Sequence, residues 1–403
     1  MRKEDFPIQI DLEKKIFEID KIEREMNQEI IGQSRAIRKI MRSAAIYLAK
    51  VKNPLKPIDA FIFSGPTGVG KTYTAETFAW KFIGGEGSDA PLTKINCSEL
   101  SEKHLVTRLT GGAPTFVGYG DPTQLDQFSI DSYHFREKAK EEISKLKIPI
   151  EKFIELGSDD KDIKANRNKL FELYLKYKPY RSVVLFDEIE EAHPAVYKLL
   201  LQILDDGLLR MGDGSITSFR DSEIFLTTNI GSDKIKNIMN PGMGFHADIP
   251  YKKKLEAAGN GEIDKLIYRE VRDEIIKHKD FPPKFIGRFR DKIVVFRTLK
   301  HDHYLEILNR QFLKIQDRIA HSENPFLISG YSNEVKEFLL QKGINPEYGA
   351  RPLNAAIEKY LTFNLSKALL AGEIVKGDEV FVDIENDKIV LLRKNRPKNH
   401  KKG

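Results

Sequence analysis

Only one cysteine, Cys97, occurs among the 403 residues of this chain, which excludes an intramolecular disulfide. Cys97 has no partner residues at metal-ligand spacing, so it reads as a small buried thiol. No apolar run approaches the ~18 residues of a membrane span. The start Met1-Arg2-Lys3-Glu4-Asp5 leads into no signal-type apolar segment. A reducing cytoplasm, without membrane insertion, is the expected setting. A large excess of either charge is also missing: 66 Lys and Arg against 60 Asp and Glu leave a formal +6. Much of that excess falls in the tail from Arg393 to Lys402, which a solvated segment explains without any nucleic acid partner. No internal repeat is visible. A hydrophobic content of 40% is enough for a substantial core and leaves room for more than one domain.

What is present is a complete phosphate-binding loop, Gly65-Pro66-Thr67-Gly68-Val69-Gly70-Lys71-Thr72. It lies between the apolar run Phe61-Ile62-Phe63 and a helix-permissive stretch beginning at Tyr73. Glycines let such a loop bend until its backbone N–H groups converge on phosphates. Lys71 would reach the β- and γ-phosphates of ATP, and the Thr72 hydroxyl would meet the Mg2+ ion.

Four short apolar or β-branched runs, 61–63, 183–186, 224–228 and 293–296, are separated by long helical patterns. They predict an α/β domain with a parallel sheet flanked by helices. From about Asp302 the texture turns helical, and residues 378–392 read as a β-hairpin around Asn386-Asp387. The expected division is an extension at 1–25, an α/β domain at 26–299, a small mainly helical lid domain at 300–392 and a basic tail at 393–403. The lysine-rich segment 128–180 reads as an inserted helical element, either a solvated hairpin or a binding module.

The run Val183-Val184-Leu185-Phe186 ends in Asp187-Glu188, placing two carboxylates at the carboxyl end of a strand. This Walker B pattern assigns Asp187 to the magnesium shell and Glu188 to orienting and deprotonating the attacking water. After the next strand, Asn229 offers an amide suited to positioning water. Arg288 and Arg351 could neutralise charge on a transferring phosphoryl group.

These pieces occur in the order and wording of the Clp family of AAA+ ATPases, and the chain resembles the second, C-terminal ATPase module of ClpB- and ClpC-type unfoldases. The resemblance covers about residues 26–392 apart from the insert. It rests on Ile30-Ile31-Gly32-Gln33, Ser101-Glu102-Lys103-His104, the run SVVLFDEIEEAHP at 182–194, LLLQILDDG at 199–207 and Tyr348-Gly349-Ala350-Arg351-Pro352-Leu353. It implies that Ile30 and Ile31 pack on adenine, that Asn229 is sensor 1 and Arg351 sensor 2, and that Arg288 is an arginine finger acting on a neighbouring subunit. A homo-hexameric ring follows. Thr115-Phe116-Val117-Gly118 stands at the family's pore loop, so Phe116 and Val117 would grip a protein substrate, with a second pore loop within 208–219. The residue before the finger is Gly287, where these relatives usually have Asn.

The expected function is an ATP-dependent protein unfoldase. The alternative is a nucleotide-switched assembly factor or dedicated remodeller, coupled to an adaptor or to a ClpP-like peptidase. Met243-Gly244-Phe245 falls where relatives dock on that peptidase, although a plain Gly/Pro-rich surface turn explains it more simply.

Overall fold

The computed structural model describes residues 17–84, 91–112, 123–127, 129–131, 142, 145, 181–239, 260–345 and 348–394. Most of the extension, the insert and the tail lies outside the described residues. The chain divides into two compact units. One holds the described residues within 1–63, 72–228 and 276–294, and the other those within 64–71, 229–275 and 295–403.

Strands β1 (Asp59–Ser64), β2 (Thr93–Asn96) and β3 (Ser182–Asp187) come first in the chain. The short pair β4 (Leu208–Arg210) and β5 (Ile216–Ser218) follows, then β6 (Ser222–Thr228) and β7 (Ile293–Val295). The five longer-range partners form one sheet in the order β2-β3-β6-β1-β7. β3 runs parallel to both neighbours, with Val184 opposite Ile224 on one side and opposite Thr93 on the other. Every residue of β6 is buried, which is the burden of a central strand covered on both faces. Aromatic rings fill the space above it. Phe63 and Phe78 approach Phe225 with ring centroids 4.9 and 5.4 Å away, and Phe78 and Phe82 come from the helix Lys71–Ile83 that follows β1.

One buried carboxyl departs from this apolar pattern. Glu223 on β6 is fully buried; Ser43 donates a hydroxyl to its Oε1 at 3.0 Å, while its Oε2 has no hydrogen-bond partner among the described residues. Burial, with Asp59 nearby, raises its pKa well above the usual 4.5. A carboxyl with a raised folded-state pKa binds its proton more tightly folded than unfolded, so its contribution to stability is complete below about 4.5 and is lost as pH rises through the folded value. Glu223→Gln, neutral at every pH, is therefore expected to gain stability over the parent as pH rises above 4.5, by about 1.4 kcal/mol per pH unit until the folded-state carboxyl of the parent ionises. The gain should vanish below pH 4.5, as read from denaturation midpoints across pH.

In the second unit the helices His301–Ala320, Asn333–Gly343, Arg351–Ile357 and Phe363–Leu370 surround a three-stranded sheet. Its strands are β8 (Leu327–Tyr331), β9 (Glu379–Glu385) and β10 (Lys388–Arg393), in the order β10-β9-β8. β9 and β10 form the expected hairpin. Asn386 and Asp387 at its turn both take left-handed φ, 48° and 58°, the pairing that matches strand twist in a two-residue loop. Phe312 of the first helix stacks on Tyr331 of β8 at 3.7 Å within the core of this region.

Candidate nucleotide site

Two groups of polar side chains stand out, one in each unit. The first is built on the loop that leaves β1. Lys71 is 9% exposed, and its ammonium donates to the carbonyl of Gly65, to the carbonyl of Pro66 at 3.0 Å and to Asn229 Oδ1 at 2.8 Å. Thr67 donates to the same amide oxygen at 3.3 Å. An ammonium has three hydrogens, and at least three acceptors among the described residues surround this one. The segment after β6 is tied to the loop again where the Ser64 hydroxyl donates to the carbonyl of Ile230 at 2.7 Å.

The same loop meets the stretch that precedes the helix Arg351–Ile357. The Ala350 N–H donates to the carbonyl of Gly68 at 3.0 Å. Gly68 and Gly349 both hold left-handed φ, 73° and 60°. A Cβ on Gly68 would come within 2.1 Å of the Tyr348 carbonyl, and one on Gly349 within 2.5 Å of the Gly68 backbone. Two backbones therefore touch where neither can carry a side chain. Arg351 is exposed at the start of its helix.

The second group lies at the carboxyl ends of β3 and β6. Asp187 Oδ1 accepts the Thr72 hydroxyl at 3.0 Å and also the Thr227 hydroxyl. Its Oδ2 lies 3.6 Å from the Lys94 ammonium. Thr227 Oγ1 in turn accepts the backbone N–H of Glu188 at 2.9 Å. Glu188 holds φ 58° and ψ 54°, a left-handed conformation costing a non-glycine residue about 1–2 kcal/mol. Such an outlier at the end of a strand marks a candidate functional position. Thr227 and Lys94 were not singled out by sequence. Thr227 belonged to an apolar run, and nothing in the text of Lys94 pointed across to β3.

The paired oxygens of Thr72 and Asp187 suit a hard divalent cation, which takes hydroxyl and carboxylate ligands and keeps several waters. Lys71, with the N–H groups of its loop, suits a polyphosphate. Ile30 and Ile31, after the helix Phe17–Glu29, are both buried. Cys97 is buried as expected, and burial pushes its thiol up in pKa. Arg288 is half-exposed and forms an ion pair with Asp205. Gly212-Asp213-Gly214 form the tip joining β4 and β5, where the Gly212 N–H donates to the carbonyl of Thr110 at 2.6 Å. Phe116, Val117 and Met243-Gly244-Phe245 lie outside the described residues. No helix among the described residues is long and apolar enough to cross a membrane.

A parallel sheet with this loop after β1 and paired acids after β3 defines a P-loop ATPase. Residues 56–132 and 154–292 match the family described as AAA domain (Cdc48 subfamily), and residues 299–382 match the C-terminal, D2-small domain of ClpB protein. A chloroplastic chaperone protein ClpC2 of Oryza sativa subsp. japonica is 31% identical over 373 residues, 92% of this chain and 34% of the relative. The ATP-dependent Clp protease ATP-binding subunit ClpC of Staphylococcus epidermidis is 32% identical over 364 residues, 90% of this chain and 36% of the relative. Chaperone protein ClpB of Gloeobacter violaceus is 31% identical over 374 residues, with 92% and 34% covered. The chain spans about a third of the length of these curated relatives. It belongs to the AAA family of ATPases, in the Clp branch, and matches a second ATPase module there.

Proposed function

We propose that this chain is an ATP-driven protein remodeller that pulls polypeptide through the pore of a homo-hexameric ring. The observation that carries this reading is the backbone contact of Ala350 and Gly349 with Gly68. It joins the phosphate loop to the helical region in one compact unit, so a change at the loop on nucleotide turnover would be passed to those helices. The expected α/β and lid domains, 26–299 and 300–392, are the bodies that would change angle.

In this reading Mg-ATP supplies the phosphoryl group and the cation that offsets its charge. Thr72 and Asp187 hold the cation, while Lys71 and the backbone of residues 65–70 hold the phosphates. To engage the nucleotide, Lys71 exchanges its present carbonyl and amide acceptors for phosphate oxygens. Glu188 orients the attacking water and takes its proton. Asn229 and Arg351 position and sense the γ-phosphate, Ile30 and Ile31 pack on the base, and Arg288 serves the neighbouring copy. Phe116 and Val117 grip the client chain through apolar contact that needs no particular sequence. The relatives' names, a chaperone and a protease subunit, support protein clients and an adaptor or peptidase partner.

The test is ATP-dependent loss of fluorescence from a green fluorescent protein bearing an unstructured tail. The parent is expected to extinguish it. Phe116→Ala should hydrolyse ATP within about twofold of the parent, as a substitution outside the chemistry allows, yet leave fluorescence intact. Unfolding by Phe116→Ala at the parental rate would rule out threading. ATP hydrolysis with no unfolding by the parent would point to a dedicated remodeller that needs an adaptor.

A further inference from the structure

The Arg288 guanidinium is held by its own chain. Its Nη2 lies 2.7 Å from Asp205 Oδ1 and 2.9 Å from Oδ2. Beneath the side chain the backbone is fixed by buried rings. Phe285 and Phe289 pack at 5.1 Å, and Tyr197 packs on Phe285 at 4.9 Å. Tyr197 belongs to the helix Pro194–Asp206, whose final turn carries Asp205. Finger base and carboxylate are thus mounted on one aromatic cluster.

Asp205 is poorly placed for the helix itself. Carbonyl dipoles make a helix C-terminus negative, and an acid in the last turn is unfavourable there. This helix has no basic residue in that turn to offset it. A residue that breaks a local rule without a local gain is a candidate for function. Gly287, just before the finger, adds no steering side chain, and a Cβ there would meet nothing within 4 Å. Among the described residues, Asp205 is the carboxylate that the Arg288 guanidinium meets.

The pair also leaves the guanidinium available. Among the described residues only Nη2 is engaged, so Nε–H and Nη1 can still donate to a second anion, and the side chain is 50% exposed. The helix that carries Asp205 begins at Pro194, shortly after Asp187 and Glu188. A shift at the acid pair would move the carboxylate that holds the finger.

We propose that Asp205 is the positioning residue of Arg288, aiming its free guanidinium edge at the nucleotide of a neighbouring copy. This rests on the reading of Arg288 as a finger acting between copies. The experiment compares the parent, Asp205→Ala, Arg288→Ala and the double variant, measuring kcat and KM for ATP, with assembly followed by sedimentation velocity. Arg288→Ala is expected to lower kcat on the order of a thousandfold, the scale of a lost arginine finger. Asp205→Ala should lower kcat by roughly ten- to a hundredfold, the cost of misplacing a catalytic group, with KM and assembly unchanged, and Asp205→Glu should restore part of it. The double variant should be no slower than Arg288→Ala alone. Should Asp205→Ala alter assembly, the isosteric Asp205→Asn decides the same comparison. Parental kcat in the Asp205 variants, or losses that multiply in the double variant, would overturn the proposal while leaving the finger intact. Parental kcat in Arg288→Ala would overturn the finger reading and the proposal together.

Discussion

Lys71→Ala is expected to hydrolyse ATP at least about a hundredfold more slowly than the parent, because on the proposed reading it removes an ammonium that neutralises charge on the phosphates. The loss has a second component. Lys71 now bridges the carbonyls of Gly65 and Pro66 to the amide of Asn229. Alanine leaves those acceptors without that donor, so the nucleotide-free loop should loosen as well. Hydrogen exchange at residues 65–72 and nucleotide binding followed with a fluorescent ATP analogue would both report it. Glu188→Gln separates binding from chemistry. It keeps the loop, keeps the Glu188 N–H bond to Thr227 and should bind nucleotide like the parent while losing turnover. Turnover near the parental rate in both variants would remove the chemical assignment of these residues.

The second large effect is expected at Gly349. An alanine there places its Cβ 2.5 Å from the Gly68 carbonyl carbon and 2.6 Å from the Thr67 oxygen. Those atoms are backbone, so no side chain can swing aside, and the two segments must separate. Separation breaks the Ala350 N–H to Gly68 bond and removes the path from the phosphate loop to the helical region. ATP turnover is expected to fall by roughly tenfold or more, as for a misplacement near 1 Å. Gly372→Ala is the control. Gly372 also holds a left-handed φ, 72°, but a Cβ there meets nothing within 4 Å. It should cost only the backbone penalty of about 1 kcal/mol, with turnover unchanged. Equal losses of turnover in the two variants would show that the contact with Gly68 is not what matters.

Much of this was legible in the residue order because the physics is local. β1, β3, β6 and β7 are apolar runs with turn signals around them, and the hairpin of β9 and β10 announces itself through Asn386-Asp387. β2 was missed because Thr93-Lys94-Ile95-Asn96 has a single buried residue, Ile95. Its place at the sheet edge is settled by pairing with β3. β8 was missed for a related reason: Leu327 is exposed, and the strand bends between Ile328 and Gly330 where it pairs with β9. At the candidate site, the loop 65–72 and the acids 187 and 188 stand out by their own spacing. Thr227, Lys94 and Asp205 meet partners far away in sequence, and it is strand order and helix packing that bring them together.

The bond from Gly212 to Thr110 has a mechanical meaning. Thr110 stands shortly before the expected first pore loop, and Gly212 is at the tip of the hairpin expected to hold the second. The bond ties the β4–β5 tip to the end of the short helix Thr107–Thr110, so these two backbone segments share one degree of freedom where free ones would have two. On the proposed threading reading, a stroke that advances the hairpin tip would carry the Thr110 end with it.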